Sequence, residues 1–91
     1  MIKEIKLTTK AENDLENIRE YLIGYEPYFD KLMDRINNYL KIIKYNPEIG
    51  KVGRRLGTRE FFVYKTNYII VYRVKQDTIE ILKILHTSMQ Y

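Results

Sequence analysis

The run Tyr68-Ile69-Ile70-Val71-Tyr72-Arg73-Val74, followed after Lys75-Gln76-Asp77 by Ile79-Glu80-Ile81-Leu82-Lys83-Ile84-Leu85, decides the fold. Both runs are rich in β-branched and aromatic residues, which suit a pleated, packed surface. A third run, Phe61-Phe62-Val63-Tyr64, precedes them across Lys65-Thr66-Asn67. The two short polar gaps read as turns, so the three runs form an antiparallel meander. Its middle strand is apolar at almost every position. That pattern predicts burial on both faces, or helices over one face and a ligand groove along the other.

Working back from the meander, residues 47–59 hold Pro47, Gly50, Gly53 and Gly57 and read as a loop, long enough to be of functional interest. Before it, Phe29, Leu32, Ile36, Leu40 and Ile43 make one apolar stripe, with Tyr39 alongside. This helix is expected to start near Pro27 and to stop at Asn46, because the residue before a proline is pushed out of helical geometry. Ala11, Leu15, Ile18 and Leu22 make the stripe of an earlier helix, from about residue 9 to 23, with Glu12, Asp14, Glu16 and Glu20 largely off it. Thr9 and Glu12 have capping-box spacing, and Gly24 is a plausible stop. The two helices are expected to form an antiparallel hairpin. Residues 2–7, Ile-Lys-Glu-Ile-Lys-Leu, read as a short strand. The order is β-α-α-β-β-β: an α+β fold with an N-terminal strand, an antiparallel helix hairpin and a three-stranded antiparallel meander. With 91 residues the chain is expected to be a single domain over 1–91.

Composition narrows the chemistry. Cysteine is absent and His86 is the single histidine, so thiolate sites, disulfides and His/Cys zinc clusters are excluded. No apolar run approaches membrane-spanning length and no signal peptide is evident, so the expected location is the cytoplasm, with no membrane partner. No P-loop or dinucleotide fingerprint occurs, and no cofactor is expected. The net charge of +4 is unevenly spread: residues 1–50 carry eight Lys/Arg against nine Asp/Glu, and residues 51–91 carry eight against three. Lys51-Val52-Gly53-Arg54-Arg55-Leu56-Gly57-Thr58-Arg59 has four cations and no acid. Such a stretch attracts polyanions, either nucleic acid or an acidic protein, unless it is simply a solvated loop.

The acid–base chemistry left to such a chain is cleavage of RNA through its 2′-hydroxyl. That reaction needs a base, an acid and cations for the charge gathering on phosphorus. His86, Arg55, Arg59, Arg73 and Tyr91 have suitable side chains. Each also has a structural reading: His86 ending the last strand, Arg73 paired across the sheet with Glu80, and Tyr64, Tyr68 and Tyr72 packed in the sheet. A Ser-His-Asp triad would need Ser88, His86 and an Asp, and Ser88 and His86 lie only two residues apart near the end of the sequence, a poor basis for one.

Several segments together resemble the ParE/RelE superfamily of bacterial type II toxins. They are Leu7-Thr8, Ala11, Asp14-Leu15 and Ile18, then Asn46-Pro47 with Gly50, Gly57-Thr58-Arg59-Glu60, and the two strands ending at His86. The resemblance implies the same β-α-α-β-β-β fold, a toxin acting on DNA gyrase (ParE-like) or on mRNA at the ribosome (RelE-like), and a cognate antitoxin in a hetero-oligomer. The RelE-type nuclease carries an arginine where this chain has Ile69 and another where it has Met89. The ending Ile81-Leu82-Lys83-Ile84-Leu85-His86 with Ser88-Met89 is similar to the ParE type, so the residues favour the gyrase reading. In that reading Lys51, Arg54, Arg55, Arg59, Arg73 and Tyr91 are the candidate contacts to target or nucleic acid. His86 with Arg59 or Arg73 would serve the nuclease alternative.

Overall fold

The computed structural model describes residues 3–88. In chain order the elements are β1 (Glu4–Leu7), α1 (Thr9–Tyr21), α2 (Glu26–Tyr45), β2 (Lys51–Val52), β3 (Arg59–Phe62), β4 (Tyr68–Val74) and β5 (Thr78–His86). The sheet order is β1-β5-β4-β3-β2. β1 lies parallel to β5, and the remaining neighbours are antiparallel. The α+β class, the hairpin of helices and the meander are as the sequence predicts. The two-residue β2 is an addition within the expected loop: Lys51 pairs with Glu60 and Val52 with Arg59. It is too short to leave a pattern, and its pairing pulls the start of β3 back to Arg59.

Both helices bury the predicted stripes. Ala11 and Ile18 of α1 and Phe29, Leu32, Ile36 and Ile43 of α2 join Ile70, Tyr72, Ile79, Ile81 and Ile84 in one core. The ends of α1 differ in detail. Thr8, not Thr9, is the N-cap: it is extended at φ −71°, ψ 163°, and its side chain accepts from the Ala11 amide. The helix stops at Tyr21, and Gly24 at φ +92° serves the turn that follows. α2 carries Pro27 in its first turn and ends against Asn46.

Asp14 departs most from expectation. Instead of lying off the stripe it is buried, 9% exposed, against β5. The cause is a β-bulge. Val71 faces Lys83 while Tyr72 faces Ile81, so Leu82 is an extra residue in β5. Side chains alternate along a strand, and the insertion turns Ile81 and Ile84, three apart, onto the same core face. β1 has already ended there, and α1 satisfies the freed backbone groups. The Thr8 amide donates to the Ile81 carbonyl at 3.1 Å, Thr8 Oγ1 sits 3.0 and 3.2 Å from the carbonyls of Ile81 and Leu82, and Asp14 Oδ2 accepts from the Ile84 amide at 3.0 Å. Lys10 pairs with the other Asp14 oxygen.

Candidate functional site: the open face of the sheet

The helices cover the face that carries Ile70, Tyr72 and Ile79. The register puts Lys51, Glu60, Val71 and Lys83 in one row across the other face, with Phe62, Ile69 and Leu85 beside it. Residues 53–58 fold onto this open face as a closed turn. The Gly53 amide donates to the Thr58 carbonyl at 2.8 Å, and the Thr58 amide and hydroxyl donate to the Arg55 carbonyl at 3.2 and 2.6 Å. Gly57 takes φ +79°. A β-carbon at Gly53 would lie 3.0 Å from the Thr58 carbonyl oxygen, so only glycine closes the turn without displacement. The basic run is therefore a shaped element and not a loosely solvated loop.

Glu60 anchors it. The backbone N–H and the Nε of Arg54 donate to Glu60 Oε2 at 2.8 and 3.1 Å, and Glu60 is only 4% exposed. A buried carboxylate persists when paired and hydrogen-bonded in this way. Beside it a groove of about 470 Å³ is lined by Lys51, Val52, Gly53, Arg54, Ile69 and Thr87 together with Glu60. Lys83 lies in a positive field. Burial pushes its amine below the ordinary lysine range, Arg55, Lys10 and Arg54 push it the same way, and Asp14 pulls against them. Lys10 of α1 comes near Lys83 and the two arginines although they stand far apart in the chain, and Lys51 lies at the β2 end of the same row.

The remaining candidates are held by other partners. Arg59 faces the helix side, where its Nη1 donates to the carbonyls of Gly50 at 2.7 Å and Glu48 at 3.3 Å. Next to it the Tyr72 hydroxyl donates to the Pro47 carbonyl and accepts from the Gly50 amide, both at 2.8 Å. These two side chains fix the segment between α2 and β2. Arg73 donates twice to Glu80 Oε1, at 3.1 and 2.6 Å, and Lys75 stands 3.5 Å from Glu80 Oε2. The Arg73 hydrogen bond, helped by the Lys75 charge, holds the Glu80 carboxyl below its usual range.

His86 ends β5. Its ring meets that of Tyr68 edge-on, with centroids 5.3 Å apart, and its Nδ1 accepts from the Ser88 amide at 3.1 Å and faces Ser88 Oγ at 2.7 Å. With Nδ1 accepting, the neutral ring carries its proton on Nε2. Burial raises the Tyr68 hydroxyl, and nearby Tyr28 and Tyr21 add to the effect.

The geometry does not bring the nuclease candidates together. His86 pairs with Tyr68 and Arg73 with Glu80. Tyr68 and Arg73 are five residues apart on β4, about 17 Å of strand, and their side chains point to opposite faces. Arg59 pairs with Tyr72, about 14 Å along the strand from Tyr68. Tyr91 and Met89 lie outside the described residues. Among the described residues no three His, Asp or Glu side chains converge as metal ligands, and no helix is long and apolar enough to cross a membrane.

Known proteins agree with this architecture. A solved structure of a chromosomal ParDE toxin–antitoxin system from P. aeruginosa superposes with a TM-score of 0.82 at 24% identity, covering 93% of this chain and 96% of that one. The toxin–antitoxin complex RelBE2 from Mycobacterium tuberculosis gives 0.60 at 22% identity, covering 94% and 99%. Both share the fold. A curated relative named "Putative toxin Y4kP", from Sinorhizobium fredii (strain NBRC 101917 / NGR234), is 31% identical over 90 residues, which is 98% of this chain and 93% of the relative. The family model described as "ParE toxin of type II toxin-antitoxin system, parDE" matches residues 5–91. With nearly the whole sequence matched, the chain belongs to the ParE toxin family of type II toxin–antitoxin systems.

Proposed function

We propose that this chain is a cytoplasmic, growth-inhibiting toxin that poisons DNA gyrase without cleaving RNA, and that a cognate antitoxin protein holds it silent in a hetero-oligomer. The observation that carries this reading is the scatter of the acid–base groups. His86, Arg73 and Arg59 lie on different faces or at different ends of the sheet. Arg59 and Arg73 are also engaged in structural hydrogen bonds. A general acid–base pair has to converge on one reacting phosphate. Ile69, where the nuclease type carries an arginine, contributes an aliphatic side chain to the groove wall.

The candidate target contacts are then Lys51, Arg54 and Arg55 on the open face. The antitoxin partner is supported by family membership and by the two similar structures, both described as toxin–antitoxin systems or complexes. Expression of the chain alone, with DNA and protein synthesis followed separately, tests the reading. The expected outcome is filamentation with a DNA-damage response, and purified protein that blocks supercoiling or traps gyrase-cleaved DNA. Immediate translation arrest with cut transcripts, abolished by His86→Ala, would replace it with the ribosomal reading.

A further inference from the structure

The tip of the helix hairpin lies at the end of the sheet where β5 finishes. Thr8, the cap of α1, meets β5 at Ile81, and Asp14 meets it at Ile84. Six residues of helix rise about 9 Å and three residues of strand about 10 Å, so α1 runs along β5 in step with it. The next turn brings Ile18 level with His86, and Tyr21, the last residue of α1, falls just beyond. The turn back is tight. The Tyr25 amide donates to the Leu22 carbonyl at 2.8 Å, with Gly24 at φ +92° between them, and α2 begins at Glu26. Tyr21, Ile23, Tyr25 and Tyr28 are each more than half exposed. Tyr21 and Tyr28 stand close enough to Tyr68 to add to the rise of its hydroxyl, and Tyr68 meets the His86 ring edge-on. Aromatic rings from α1, α2, β4 and β5 thus gather at one end of the molecule.

Two features give this patch its chemistry. Tyrosines offer large, stiff faces with a polar edge, and a cluster of them in the open, rimmed by charge, marks a recognition surface. The surroundings are acidic although the whole chain is positive: residues 16–30 carry Glu16, Glu20, Glu26 and Asp30 against Arg19 alone. Arg19 is already engaged, 4.9 Å over the Phe29 ring and 3.8 Å from Glu16. Glu20 and Glu26 frame the turn and make no ion pair among the described residues. Such carboxylates turn a polyphosphate away. A second copy docked about a two-fold axis through the tip would set the same acids against themselves. A flat cation suits both features, because guanidinium stacks on aromatic faces and pairs with carboxylates through its edge. Arg19 on Phe29 is that stacking contact within the chain.

We propose that this tip, with Tyr21, Tyr25 and Tyr28 as stacking faces and Glu20 and Glu26 as charge partners, docks an arginine-bearing segment of a partner protein. Ile23 supplies apolar contact beside the rings, so the segment it takes carries apolar side chains between its arginines. The inference goes beyond the gyrase reading and does not rest on it, and it uses none of the cations of the open face.

The probe is a fluorescent, end-blocked peptide of alternating leucine and arginine, followed by anisotropy with the purified chain. Versions with lysine or glutamate in place of arginine, and a short DNA duplex, are compared with it. The arginine peptide is expected to bind, the lysine peptide to bind roughly 3–10-fold more weakly, and the glutamate peptide not to bind. Tyr21→Ala and Tyr28→Ala are each expected to weaken the arginine peptide by roughly 3–10-fold, whereas Tyr21→Phe keeps the ring and should keep the affinity. Glu20→Gln with Glu26→Gln should flatten the dependence on salt. Tyr45→Ala, at another tyrosine more than half exposed but at the far end of α2, should change nothing. A thermal melt of each variant verifies that it folds.

Equal affinity for the lysine and arginine peptides, binding indifferent to Tyr21 and Tyr28, or DNA bound through the same tyrosines would each overturn the inference. A dimer in light scattering that Tyr21→Ala dissolves would overturn it too, and assign the tip to a second copy. Failure here and failure of the gyrase reading are separate. With no gyrase in the assay, lost peptide binding leaves the target standing, and unimpaired supercoiling leaves this surface standing.

Discussion

Tyr72 has no exposed surface, yet it carries a hydroxyl that must be satisfied. It donates to the Pro47 carbonyl and accepts from the Gly50 amide, so one buried oxygen ties the central strand to the segment leaving α2. Tyr72→Phe leaves both backbone groups without that partner and is expected to cost about 1–3 kcal/mol, read from the denaturant midpoint. A pH signature accompanies the loss. Burial raises the Tyr72 hydroxyl above its ordinary value, outweighing the Gly50 hydrogen bond and the Arg59 charge. The unfolded chain therefore ionises first. The stability from the neutral hydroxyl is intact below pH 10, the ordinary tyrosine value, and is lost as pH rises through the raised folded value. Tyr72→Phe should flatten that alkaline limb.

Gly50 belongs to the same joint. A β-carbon there would lie 2.7 Å from the Tyr72 hydroxyl oxygen and 3.1 Å from the Glu60 carbonyl oxygen. Gly50→Ala is expected to cost about 1–3 kcal/mol by overpacking, measured in the same way. The sequence marks Asn46-Pro47 with Gly50 as a recognisable segment, but nothing in its pattern says that a tyrosine more than twenty residues later is the reason.

At the level of elements, the bulge in β5 is the joint between helix and sheet. Asp14→Ala removes the acceptor from the Ile84 amide and is expected to cost about 1–3 kcal/mol. Thr8→Ala removes the cap of α1 and its reach to the bulge, at a cost of about 1 kcal/mol. Because both hold one feature, the double variant should depart from the sum of the two. Hydrogen exchange at the Ile84 amide is the direct readout, and it should speed up in Asp14→Ala before the rest of β5 does.

What was legible at this scale follows from pattern length. Long stripes and β-branched runs reveal α1, α2, β4 and β5 because each repeats its period several times. β2 has two residues and no period to repeat. The bulge is hidden because apolar residues stand on both sides of it, so the shift from Ile81 to Ile84 disturbs nothing visible. Asp14 looks like one more surface acid among Glu12, Glu16 and Glu20. Its burial depends on a backbone amide seventy residues away that lacks a strand partner.

For the molecule as a whole, the sequence shows the charge imbalance but not where the charge collects. Lys51, Arg54 and Arg55 stand out in the basic run, whereas Lys10 and Lys83 are ordinary lysines until the packing of α1 on β5 brings them near each other and near the two arginines. Arg59 and Arg73 illustrate the converse: both are conspicuous in the sequence, and both are engaged in holding the fold. β5 lies between β1 and β4 and is also the strand against which α1 rests. A chain shortened to end before Thr78 loses the partner of both neighbouring strands. It is expected to lack a cooperative thermal transition in circular dichroism.

That placement has a consequence for biosynthesis. Among the described strands β5 is made after all the others, and it must return to Glu4–Leu7, the first of them made. A growing chain can wind its helices but has nothing to close them upon until β5 has emerged. A toxin assembled in that order cannot complete its fold before then, and a protective protein made alongside it has that interval in which to be ready.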